Sequence, residues 1–242
     1  MIKVCSLFSG SSGNCIFVSY NGTSILIDAG LSGKKIGEAL KSNGAGIIAR
    51  RYKIPIYANS LTWKAMRPFM GKLSSDHVRV VEVGETHSLG DIEIRPFAIP
   101  HDAVCPVGYN LFINDKKLTI ATDIGHMSRE LLFNLEKSDM VLLESNHDVE
   151  MLKTGRYPWP LKQRILGENG HLCNDMAGKV VAYLAENGTR RFLLGHLSKE
   201  NNFPELAYRT VRNALLEKSI NPQKDVYLEV ALRDRASHVL TI

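Results

Sequence analysis

Leu118-Thr119-Ile120-Ala121-Thr122-Asp123-Ile124-Gly125 is a strand-length run of apolar and β-branched residues that stops on a carboxylate and a glycine. No charged residue interrupts it before Asp123, so a strand is expected whose last side chains emerge at its C-terminal edge. Residues just past the C-terminal ends of such strands line the crevice where sites are built. Two further runs end the same way, in Phe97-Ala98-Ile99-Pro100-His101-Asp102 and in Leu193-Leu194-Gly195-His196-Leu197-Ser198. Two imidazoles and a carboxylate are a borderline-to-hard donor set suited to a divalent ion, zinc or manganese. His101, Asp123 and His196 are therefore the candidate metal ligands.

Outward from these runs, residues 2–8, 15–20 and 23–28 read as strands, with Tyr20-Asn21-Gly22-Thr23 as a hairpin turn. Helical spacing covers 34–42, through Ile36 and Leu40, and a short stretch from Ile47 to Tyr52. A strand at 55–58 precedes a helix that Asn59 caps and that runs towards Met70. Strands are expected at 78–83, 91–99, 107–113 and 117–122, and buried strands at 139–145 and 190–195. Helices are expected at 128–137, 160–168, 174–187 and 204–218, with closing strands at 225–231 and 237–241. Strands and helices interleave in both halves, which predicts an α/β layered fold of two mixed sheets flanked by helices. No repeat, low-complexity tract or linker divides residues 1–242, so one domain is expected.

The composition is that of an ordinary globular chain, with 44% hydrophobic and 23% charged residues. No apolar run reaches the roughly 18 residues that span a bilayer, so no membrane partner is expected. Cys5, Cys15, Cys105 and Cys173 have no paired spacing; they read as reduced and mostly buried, with the cytoplasm as the expected compartment. The net charge of +5 permits a polyanionic partner, but the basic residues are dispersed.

Several other residues could line the same edge. The loop Phe8-Ser9-Gly10-Ser11-Ser12-Gly13-Asn14 lies between two strands and reads equally as a backbone nest for an anion or as a tight hairpin. Ser9, Ser11, Ser12 and Asn14 are thus candidate phosphate contacts. Asp28 closes a strand and could orient a ligand. Glu144-Ser145-Asn146-His147-Asp148 follows a buried strand, and His147 could touch substrate. Gly170-His171-Leu172 precedes a helix whose N-terminal N–H groups could receive a phosphate, which makes His171 a candidate. His77, His87, His126 and His238 read as surface or structural residues, and Trp63 and Trp159 as packing residues.

Cys5-Ser6-Leu7-Phe8-Ser9-Gly10-Ser11-Ser12-Gly13-Asn14-Cys15, Leu26-Ile27-Asp28-Ala29-Gly30, Pro100-His101-Asp102-Ala103, Thr122-Asp123-Ile124-Gly125, Glu144-Ser145-Asn146-His147-Asp148 and Gly195-His196-Leu197-Ser198 together resemble the YycJ/WalJ family of metallo-β-lactamase-fold hydrolases. The resemblance spans nearly the whole chain. It implies an αββα sandwich, one or two divalent ions, and phosphodiester hydrolysis of DNA by an exonuclease linked to repair. It also implies that His101, Asp123 and His196 are metal ligands, with Asp123 as the carboxylate able to bridge two ions. Such enzymes carry a His-x-His-x-Asp-His motif after a strand that follows the helix at 34–42. Here the chain runs instead through Asn43-Gly44-Ala45-Gly46, so a segment of roughly 20 residues is expected to belong near 43–46. With that motif the resemblance implies two-ion catalysis; without it, three ligands hold one ion weakly. Two alternatives stand beside the exonuclease: a small-molecule ester, lactone or cyclic phosphodiester hydrolase of the same fold, and a metal-poor nucleic-acid-binding module.

Overall fold

The computed structural model describes residues 1–10, 13–28, 53–70 and 72–242. The helices expected at 34–42 and 47–52, the segment near 43–46, and Ser11 and Ser12 lie outside those residues.

Two sheets face each other. The smaller holds β1 (Lys3–Gly10), β2 (Gly13–Tyr20), β3 (Thr23–Ile27) and β13 (Leu240–Thr241) in the order β13-β1-β2-β3, antiparallel at every described pairing. The Asn21-Gly22 turn joins β2 to β3 with both residues at positive φ, 51° and 86°, as a two-residue hairpin of this twist requires. The larger sheet has seven strands: β6 (His87–Leu89), β7 (Ile92–Ala98), β8 (Val107–Ile113), β9 (Lys116–Ala121), β10 (Met140–Glu144), β11 (Arg191–Gly195) and β12 (Tyr227–Val230). It is antiparallel from β6 to β9 and parallel from β9 to β12, so only this sheet is mixed. A small parallel pair, β4 (Ile56–Ala58) and β5 (Val78–Val80), stands apart from both.

Period-two alternation builds the layers. Met140 and Leu142 of β10 face the smaller sheet, packing with Val4, Ile16, Val18, Leu111 and Ile120. Val141 and Leu143 face the other way, against Leu131 and Leu135 of α2 (Arg129–Leu135), Val181 and Leu184 of α5 (Asn174–Glu186), and Val211 and Leu215 of α6 (Pro204–Glu217). Both faces of β10 are thus covered, which is why its sequence is uninterruptedly apolar.

Three shorter helices complete the described chain: α1 (Ser60–Met66), α3 (Val149–Thr154) and α4 (Trp159–Leu166). Asn59 caps α1 as expected, accepting from the Thr62 N–H at 2.8 Å. The α-helix stops at Met66, and a 3-10 turn over Arg67–Phe69, containing Pro68, carries the chain on. α3 and β6 were not foreseen, because six and three residues are too few to show a period. The expectation for the tryptophans splits. Trp63 is buried and donates to the Arg79 carbonyl at 2.8 Å, whereas Trp159 is 62% exposed and packs no core. None of the described helices is long and apolar enough to cross a membrane.

Candidate active site

The parallel register sets the ends of β9, β10 and β11 side by side, with Leu143 opposite Ala121 and Glu144 opposite Gly195. Asp123 lies two residues past β9, Glu144 ends β10, and His196 directly follows β11. His101 lies three residues past β7, and the Gly125 N–H donates to the Pro100 carbonyl at 2.7 Å, tying its loop to that of Asp123. Asp28, Asp123 and His196 all hold left-handed backbones, with φ of 54°, 61° and 56°. Non-glycine residues adopt that region at a cost that the surrounding structure must over-determine, and such residues concentrate at functional sites.

Three of the predicted residues converge. The Nε2 atoms of His101 and His196 lie 3.7 and 3.4 Å from the same oxygen, Oδ1 of Asp123. His171 joins them, offering an atom within 4.8 Å of those of His101 and Asp123, and equally of Glu144 and His196. Its ring stacks on His196 with centroids 5.2 Å apart.

The rings are oriented from behind. His101 donates from Nδ1 to the Gly170 carbonyl at 2.9 Å, which leaves Nε2 unprotonated in the neutral ring and facing Asp123. His171 Nδ1 donates to Glu144 Oε1 at 2.8 Å. Glu144 is fully buried, and its other oxygen accepts from the Ile124 and Leu172 N–H groups at 2.5 and 3.3 Å. Burial opposes a charge on His171, but the hydrogen bond and charge of Glu144 outweigh it, and the net effect raises its pKa. His196 is held at three points. Its N–H donates to Ser9 Oγ at 2.8 Å, its carbonyl accepts from Asn146 Nδ2 at 2.8 Å, and its Nδ1 lies 2.8 Å from the carboxamide of Asn14. A Cβ at residue 195 would sit 2.7 Å from Ser9 Oγ, so Gly195 is what lets the hairpin come this close.

The remaining candidates fall as follows. Ser9 and Asn14, expected at a phosphate, are buried at 2% and 5% exposure and engaged with His196. Gly10 pairs with Gly13, so β1 and β2 stay antiparallel partners up to their facing ends. Burial and the nearby Asp123 charge push the Asp28 carboxyl up to about 7. His147 is 1% exposed, with neither ring nitrogen hydrogen-bonded; burial and His171 push it down to about 4, so it is a neutral ring. Glu144, named in the sequence only as one of a segment, is the buried hub of the site. His126 and His87 lie outside it, on the Glu168 carbonyl and beside Glu85, and His77 bonds Ser74. All four cysteines are free thiols, Cys5 and Cys15 buried.

The donors fit a divalent ion. Two imidazoles are pinned on their Nδ1 sides, a carboxylate oxygen lies between them, and Nε2 of His196 is buried with no hydrogen-bond partner. A carbonyl acceptor such as Gly170 on His101 fixes the tautomer and direction of a metal-binding histidine, and the Asn14 contact holds the His196 ring in place.

Residues 42–197 match the beta-lactamase superfamily domain family. The chain is also 39% identical over 241 residues to "Exodeoxyribonuclease WalJ" of Streptococcus pneumoniae, with 90% of each chain covered. The chain belongs to the WalJ/YycJ family of metallo-β-lactamase-fold hydrolases. To the YycJ exodeoxyribonuclease of Bacillus anthracis it is 38% identical over 233 residues, covering 88% of each. Its fold is that of solved relatives at far lower identity. These include PqqB of Methylobacterium extorquens in its zinc-bound form (TM-score 0.66, 17% identical, 98% of this chain and 99% of that one) and YhfI of Bacillus subtilis (0.64, 14%, 98% and 100%). Metallo-β-lactamase-fold hydrolases work with divalent metal, and this WalJ/YycJ-family chain carries the ligand types for it at the expected strand ends.

Proposed function

We propose that the chain is a DNA exonuclease that hydrolyses phosphodiester bonds with zinc or manganese and acts in DNA repair in the cytoplasm. The observation that carries this reading is the convergence of His101 and His196 on one oxygen of Asp123. It occurs in a chain 39% identical to a protein named as an exodeoxyribonuclease. The +5 charge, which favours a polyanion, and four unpaired thiols, usual in a reducing compartment, are in keeping with it.

His101, Asp123 and His196 would hold the metal, which when bound lowers the pKa of a water and stabilises charge developing on a phosphate. Asp123 sets the spacing of the two imidazoles, since both face its Oδ1. Glu144 fixes His171 Nδ1 and favours the protonated ring, so His171 presents Nε2–H to a phosphate oxygen. Ser9 and Asn14 act through His196, holding its backbone and ring. Asp28, beside Asp123, helps to orient that carboxylate.

The chain has eight histidines and no His-x-His pair, so its own residues complete one ion site rather than two. A second would need the segment that belongs near 43–46 in the family pattern.

The test is incubation with end-labelled single-stranded and duplex DNA, with manganese or with chelator. Stepwise release of nucleotides, stopped by chelator and falling steeply with salt, is expected. Intact DNA alongside metal-dependent cleavage of a small ester, insensitive to salt, would overturn the substrate assignment. DNA binding unaffected by chelator, with no turnover, would leave a binding module.

A further inference from the structure

Among the described residues, Trp159 is one of several exposed apolar side chains that neither the core nor the site accounts for. It opens α4, and the far end of α4 is fastened to the site three times. Arg164 forks onto Asp102, with Nη2 to Oδ1 at 2.8 Å and Nε to Oδ2. Asp102 Oδ1 in turn lies 3.3 Å from Nε2 of His101. The loop after α4 folds back, with the His171 N–H donating to the Ile165 carbonyl at 3.0 Å, and delivers Gly170 to His101 and His171 to Glu144. Five residues of helix separate Trp159 from Arg164, about 7.5 Å along the axis. Trp159 is therefore exposed on the same short helix that Arg164 ties to Asp102.

The chemistry of this stretch is cationic and aromatic. Arg164 spends two of its five N–H donors on Asp102, and its side chain is half-exposed, so the others face outward. Arg156 is exposed and forms no ion pair among the described residues, and between 150 and 164 the one carboxylate, Glu150, is taken by Lys153 at 3.0 Å. A planar aromatic face with flanking guanidinium groups suits one polymer: a nucleic-acid strand whose base stacks while its phosphates are held. The base must be unpaired, because a base inside a duplex already has both faces covered.

We propose that α4 is the strand-holding element, on which Trp159 stacks against an unpaired base while Arg164, aimed by Asp102, and Arg156 hold the adjoining phosphates. The proposal rests on the exonuclease reading and narrows its substrate to a single-stranded or frayed end.

The test uses a fluorescein-labelled thymidine oligonucleotide with nuclease-resistant phosphorothioate linkages, manganese present, with binding of every variant followed by the label's anisotropy and tryptophan fluorescence read alongside for wild type. Wild type should bind with quenching, since Trp159 is the exposed one of the two indoles. Trp159→Ala should bind about tenfold more weakly and Trp159→Phe close to wild type. Arg164→Gln should lower the slope of log affinity against log salt by about one. Phe133→Ala, which removes an exposed aromatic on α2, should change nothing. On cleavable DNA, Trp159→Ala should raise KM with kcat unchanged. If wild type binds and Trp159→Ala and Arg164→Gln bind equally well, the strand-holding role is wrong and the exonuclease reading stands. If wild type binds neither single-stranded nor duplex DNA, both fall together.

Discussion

The two sheets meet at the site and treat it differently. Loops at the C-terminal edge of the seven-stranded sheet carry the groups proposed to face metal or substrate, His101, Asp123 and His196, with His171 from the loop before α5 and buried Glu144 behind it. The four-stranded sheet supplies groups that act on those groups: Ser9 and Asn14 hydrogen-bonded to His196, and Asp28 within electrostatic reach of Asp123. Parallel strands buried on both faces end together and project side chains into one crevice. A hairpin edge, by contrast, approaches as backbone, and what it offers is placement. On the proposed reading, one sheet carries the reactive groups and the other sets their positions.

That division can be broken by substitution. Asp123→Ala should have the largest effect, abolishing hydrolysis and metal retention while the melting temperature barely moves, because a 33%-exposed carboxylate side chain serves the ion more than the core. Turnover surviving in manganese would remove Asp123 from its role. Glu144→Gln should come next, at roughly 10–100-fold in activity, since the acceptor for His171 and two N–H groups is weakened. Here metal content, measured by elemental analysis, should hold; loss of metal would make Glu144 a ligand instead. Asn14→Ala, from the supporting sheet, should be mildest, at about tenfold in metal affinity with kcat at saturating metal nearly unchanged. An effect as large as that of Asp123→Ala would mean the hairpin contributes chemistry after all.

The strand-end residues were legible because their signal is local. An apolar run stopping on His or Asp reports both a buried strand and what projects from its end. Thus β8, α5 and β11 fall within a residue of expectation, and His101, Asp123 and His196 come together as foreseen. Shorter elements such as β6 and α3 carry too few residues to show a period.

The sequence by itself determined which residue types stand at the strand ends, how the layers alternate, and that no His-x-His pair exists in the chain. Only the tertiary structure decided who faces whom. Ser9 and Asn14 read as phosphate contacts until the sheets pack and bury them against His196, about 180 residues away in sequence. Glu144 read as one of several polar residues until His171, Ile124 and Leu172 closed on it. Trp159 read as core until α4 docked with that edge outward. Spacing encodes which face of its own element a residue occupies. Partners from distant elements are set by how those faces are brought together, and that no local pattern records.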